Sequence, residues 1–185
     1  MRTLALTAVI VVASALTVAA GSLAGVTLPD TVQVGGKTLV LNGMGLRSKM
    51  MFKAYVAGLY LEQKSSDPDA ILKSDTPKRV VMQLLRDLSR DQMVEAFTES
   101  FESNSPNARA LKADIDRMLG AFEPVKTGQQ MVFTYEPGVG TTLAIDGQQK
   151  VTIAGQPFGQ AMFGCWLGPK PPTADLKAGL LGQRQ

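Results

Sequence analysis

The run Met50 to Leu61, MMFKAYVAGLYL, constrains the fold more than any other part of this chain. If it is extended, successive side chains point to opposite sides. Phe52, Ala54, Val56, Gly58 and Tyr60 then share one face, and Lys53, Tyr55, Ala57, Leu59 and Leu61 the other. Both sets are largely apolar, so such a strand has to be central in its sheet and covered on both sides. A helix is the competing assignment. The aromatic residues and Gly58 favour a strand, with Gly58 marking a bulge or a close approach of another group.

The flanking sequence supplies partners for that strand. TVQV at 31–34 and KTLVLN at 37–42 surround Gly35-Gly36, the pattern of a hairpin. Asp67 to Ser74 reads as a short capped helix with Pro68 in its first turn. KRVVMQLL at 78–85 reads as a strand. Ser89 caps a helix over 89–103, on which Met93, Ala96, Phe97, Ser100 and Phe101 form one stripe. A second helix is expected over 107–120, ending at Gly120. Strands at 130–135, 141–145 and 150–154 are separated by Glu136-Pro-Gly and Asp146-Gly, which predicts a meander. Helices at 156–167 and 174–181 close the chain. Strands in adjacent runs, with two helices between them, predict an α+β fold: a large antiparallel sheet with helices on one face.

The N-terminus reads differently. Arg2 is the only charge before Asp30, and Leu4 to Ala20 is an almost unbroken apolar run. Ser22-Leu23-Ala24 then offers small side chains where a signal peptidase reads them. Residues 1–24 are therefore expected to be a secretory signal peptide, and 25–185 a single domain in the periplasm or outside the cell. A membrane anchor is the rival, but the run is at the low edge for crossing a bilayer. No stable membrane span is expected once the signal is removed.

Composition narrows the chemistry. The chain has no His, so no His base, triad or metal site is available. Its one Cys, Cys165, sits in an apolar stretch and reads as a buried small hydrophobe rather than a reactive thiol. Asp114 and Asp116 lie on different faces of a helix and read as solvated. The formal charge of +3 is spread along the sequence, so nucleic acid is not an implied partner. Gly43-x-Gly45 lacks the third glycine of a dinucleotide motif and opens a strand rather than a helix. No metal or cofactor site is predicted.

One group of residues stands apart: Arg47 with Lys49, Lys53, Tyr55 and Tyr60. An arginine beside a phenol makes a receptor for a carboxylate or enolate oxygen, because the guanidinium donates two parallel hydrogen bonds and the phenol a third. On composition alone the alternative stays open, that Arg47 and Lys49 edge a hairpin while the tyrosines pack in the core.

The segment L-N-G-M-G-L-R-S-K…K-A-Y-V-A-G-L-Y-L at 41–61 resembles the chalcone isomerase-like family. The tail F-G-C-W-L-G-P-K-P-P…L-K-x-x-L-L-G at 163–182 is similar to its exported bacterial branch. The resemblance implies an open-faced β-sandwich with a ligand cleft between sheet and helices. Arg47 matches the family arginine, which binds a fatty-acid carboxylate in one branch and helps hold a flavonoid in another. Tyr55 matches a position that is Thr in the isomerases and Tyr in the fatty-acid binders. The isomerases also use a Tyr and an Asn near the start of the long helix and a Ser or Thr of the late helix. Here residues 89–103 hold no Tyr, Asn104 lies beyond that helix, and the late position falls near Ala161.

The expected function is thus non-catalytic binding of a small amphipath such as a fatty acid. Arg47, Tyr55, Lys49 and Tyr60 are the expected ligand-binding residues, and Met93, Phe97 and Met162 the expected cleft lining. An isomerase acting on a chalcone-like unsaturated ketone is the alternative. An envelope scaffold with a vestigial cleft is a third reading.

Overall fold

The computed structural model describes residues 20–183. Residues 1–19, most of the expected signal peptide, lie outside the described residues. The chain starts with a two-stranded hairpin, β1 (Ala20–Leu23) and β2 (Val26–Pro29). The cleavage point expected after Ala24 falls at its turn.

Seven further strands form one antiparallel sheet in which sequence neighbours are spatial neighbours: β3 (Thr31–Val34), β4 (Lys37–Lys49), β5 (Phe52–Leu61), β6 (Lys78–Leu84), β7 (Gln130–Glu136), β8 (Gly140–Ile145) and β9 (Gln148–Ile153). Gly35 and Gly36 both have positive φ, as the twist of a tight hairpin demands. Met50 and Met51, expected as the start of a strand, instead form the two-residue turn between β4 and β5.

The helices follow the caps read from sequence. Asp67 accepts from the amides of Asp69 and Ala70 and starts α1 (Pro68–Lys73). Ser89 and Gln92 form a reciprocal capping box at the head of α2 (Arg90–Asn104). The next helix, α3 (Lys112–Gly120), begins later than expected, because residues 107–111 form turns instead. The chain ends in α4 (Gln156–Leu167) and α5 (Ala174–Leu180). Nearly every side chain of α4 from Phe158 to Leu167 is buried, so this helix is the middle of the helical layer.

Two cores result, one on each face of the sheet. Tyr55, Ala57, Leu59 and Leu61 of β5 pack into the larger core, with α2, α3, α4 and α5. Val56 and Tyr60 pack into the smaller one, with Val26 and Leu28 of the β1–β2 hairpin. Gly58 is the close-approach residue: a Cβ there would collide with the Leu28 side chain. The small hairpin on one face and the helices on the other make an open-faced β-sandwich.

Gly43 and Gly45 have the same kind of explanation. A Cβ on Gly43 would lie 2.9 Å from the Leu180 carbonyl oxygen, and one on Gly45 2.9 Å from the Leu176 Cα. Gly179 faces them, since a Cβ there would come 2.8 Å from the Gly45 Cα. The glycines let α5 lie backbone-to-backbone on β4. Asn42 pins the far end of this contact, donating to the carbonyls of Ser65 (2.9 Å) and Leu180 (2.8 Å).

Candidate functional site

Arg47 is the next residue on the glycine face of β4 and lies directly opposite Tyr55 on β5. The ladder slips immediately after it, between Arg47 and Ser48. Such an irregularity re-aims the strand and its side chains. Both residues line a cavity of about 640 Å³ between the sheet and α2. That volume is in the range of small-ligand sites. Met82 of β6, Met93 and Phe97 of α2, and Trp166 of α4 supply its apolar wall. Lys49, Arg86 and Lys170 also line it, as do Glu95 and Glu99 of α2.

Arg47 is half-buried and donates one hydrogen bond, from Nη1 to the Ser48 carbonyl oxygen at 2.8 Å. It takes part in none of the ion pairs among the described residues. Most of its donor fork is left for a ligand. Tyr55 is only 8% exposed. Burial pushes its phenol up to about 12, with a hydrogen bond from Trp166 and the charge of Arg47 acting weakly the other way. At neutral pH Tyr55 is therefore a hydrogen-bond donor and not a base. Cys165 also borders the cavity, but its thiol is buried and pushed up to about 12 by desolvation, which leaves it unreactive. The arrangement offers hydrogen-bond donors suited to an anion at one end and an apolar wall along α2.

A family model described as chalcone isomerase-like matches residues 20–182. The chain belongs to the chalcone isomerase-like family. No curated protein matches it. Among solved structures, it is similar to an Arabidopsis thaliana fatty-acid binding protein, with a TM-score of 0.68 and 14% identity over 89% of this chain and 97% of that one. At that identity the likeness carries the fold: the curled seven-stranded sheet with its helices.

Within this family member, Arg47, Lys49, Tyr55, Met93 and Phe97 come together at the cavity as the sequence suggests. Two expected residues do not. Tyr60 is fully buried on the opposite face of β5, where its hydroxyl donates to the Pro29 carbonyl oxygen at 2.8 Å. Residues 55 and 60 differ by an odd number, so a strand must send them to opposite faces. Met162 is fully buried in the core around α4 and does not line the cavity. Asn104 is occupied structurally, donating to the Ser100 and Lys170 carbonyls and accepting from the Lys170 amide. Sequence reasoning missed Arg86, Trp166, Glu95 and Glu99. Trp166 was inside the quoted tail motif, but only packing of α4 against the sheet shows that it meets Tyr55.

Proposed function

We propose that this protein is a non-catalytic binding protein for a small amphipathic acid, with a fatty acid as the ligand that fits best. The carrying observation is the half-buried Arg47, without an ion-pair partner among the described residues, opposite the protonated Tyr55 in a cavity with an apolar wall of Met82, Met93, Phe97 and Trp166. A carboxylate there accepts from the guanidinium and the phenol, and its chain lies along Met82, Met93 and Phe97. Burying the tail supplies about 0.8 kcal/mol per methylene.

Protein purified from its own compartment should then release fatty acid on extraction, read by mass spectrometry. Delipidated protein should take fatty acid up again in calorimetry, and Arg47→Ala should lower that affinity by at least tenfold. No uptake by the unmutated protein would refute the assignment.

The same two donors also suit an enolate, which keeps isomerase chemistry on a chalcone-like ketone as a second reading. The buried Tyr55 phenol and Cys165 thiol stay protonated at neutral pH and supply no base, so binding is favoured over turnover. Stopped-flow mixing with a chalcone decides it: a rate equal to the uncatalysed one removes this reading. A scaffold role for a vestigial cleft would call for side chains filling the space around Arg47, which is open.

We further propose that residues 1–24 direct export and that the protein works in the periplasm or outside the cell, as in the exported bacterial branch of its family. The apolar run after Arg2 supports this. Cleavage after Ala24 would open the β1–β2 hairpin at its turn and leave β2 on the sheet. N-terminal sequencing of the protein recovered from the envelope reads the site.

A further inference from the structure

The β4–β5 turn breaks a rule that the other tight hairpins obey. Two-residue turns join β1 to β2, β3 to β4 and β8 to β9, through Ala24-Gly25, Gly35-Gly36 and Asp146-Gly147. Each carries a glycine at a positive φ. The β4–β5 turn carries Met50-Met51, with Met50 at φ 56. An unbranched apolar side chain gains nothing locally from that conformation, where Gly or Asn is the ordinary choice. Met50 and Met51 are 90% and 95% exposed, and Phe52 beside them 62%. Together they are three of the four exposed large apolar residues described. The fourth, Val139, stands alone on another turn.

Charge surrounds this apolar tip. Lys49 precedes the turn, Lys53 follows it, and the Arg86 guanidinium sits over the Phe52 ring, 5.3 Å from its centroid. None of these three cations is in an ion pair among the described residues, whereas seven other cations are. Met50 and Phe52 also border the cavity that holds Arg47 and Tyr55, so the tip stands at its mouth. The acidic residues of the cavity, Glu95 and Glu99, belong to α2 and not to the hairpin.

We propose that the β4–β5 hairpin tip docks on an anionic lipid surface, so that the cavity is loaded directly from the bilayer. Met50, Met51 and Phe52 enter the boundary between headgroups and acyl chains, while Lys49, Lys53 and Arg86 meet lipid phosphates. An exposed apolar tip flanked by cations that form no ion pair among the described residues is complementary to that surface and to few others. The source of the cargo rests on the binding function proposed above; the docking itself does not.

The test separates the two. A polarity-sensitive fluorophore is placed on full-length Met51→Cys, and as a control on Val139→Cys; the native Cys165 is buried and does not compete. Phosphatidylglycerol vesicles should shift the position-51 emission to the blue, and phosphatidylcholine vesicles much less. Position 139 should not respond. Lys53→Glu should weaken the response more than fivefold, since each basic side chain near such a surface is worth about that factor. Met51→Asp and Lys53→Glu lie outside the cavity, so they should slow fatty-acid uptake from vesicles while leaving the affinity for dissolved fatty acid unchanged. Equal responses at positions 51 and 139, no response at either, or a response at 51 that follows protein concentration without vesicles would overturn the proposal. If the label responds but no fatty acid is taken up, the docking stands and the ligand assignment falls.

Discussion

Arg47 and Tyr55 face each other because of strand parity and a slip in the ladder, and their surroundings decide what each can do. Arg47 keeps most of its donors. Tyr55 keeps its proton, because burial disfavours the phenolate. Tyr55→Phe removes one donor to a bound carboxylate, a hydrogen bond worth about 1.5–3 kcal/mol when one partner is charged. Fatty-acid affinity should fall by roughly ten- to a hundredfold on that basis, with the cavity otherwise unchanged. Arg47→Lys should recover only part of what Arg47→Ala loses, because a point charge does not reproduce the planar fork. Tyr60→Phe should leave ligand affinity untouched and cost stability instead, since its hydroxyl ties β5 to the β2 end at Pro29. Calorimetry and urea unfolding on the same four variants read these differences.

At the scale of elements, the close contact of α5 with β4 sets the position of Arg47. The glycines there look like a fragment of a nucleotide motif in sequence, yet their role is to remove side chains from a helix–strand contact. Gly45→Ala puts a Cβ against the Leu176 backbone, which cannot rotate away. Overpacking of this kind costs typically about 1–3 kcal/mol. The urea midpoint of Gly45→Ala should drop accordingly, and ligand affinity should fall with it, because the next residue on that face is Arg47. A midpoint equal to the parent's would show that α5 is free to lift off. Gly36→Ala serves as the comparison: open space surrounds that position, and its cost is the positive φ alone.

For the whole molecule, buried protons set the alkaline limit. Cys165 is pushed from 9.0 up to about 12, and Tyr55, Tyr60 and Tyr135 from 10.0 up to about 12. The unfolded chain releases these protons from about pH 9 or 10 upward, while the native state holds them. The unfolded state then binds fewer protons, so stability falls as pH rises through that window. Lys78 has the opposite sign: burial lowers it from 10.5 to about 8, so it adds stability as pH rises from about 8 to 10.5. One group opposes four, and the loss should dominate above pH 10. Urea midpoints should rise slightly from pH 8 to about pH 9, where Lys78 acts alone, and decline beyond that, most steeply above pH 10, and Lys78→Met should be more stable than the parent near pH 7 but lose that gain by pH 10.5. A flat profile would contradict this balance. Much of this architecture is legible in the amino-acid order. Periodicity, caps and turn residues act locally, so the strand positions, the Ser89 capping box, the two-sided burial of β5 and the central place of Arg47 could be read directly. The opposite facing of Tyr55 and Tyr60 was equally present in their spacing. The pairing of α5 with the glycines, the cover provided by the β1–β2 hairpin, the meeting of Trp166 with Tyr55 and the cations gathered at the cavity mouth were not. These depend on which residues far apart in sequence the packed layers bring together. The sequence determined the strands, their faces and the chemistry available; the tertiary structure decided which of those groups share a cavity, because only packing fixes distances between segments that local preferences leave independent.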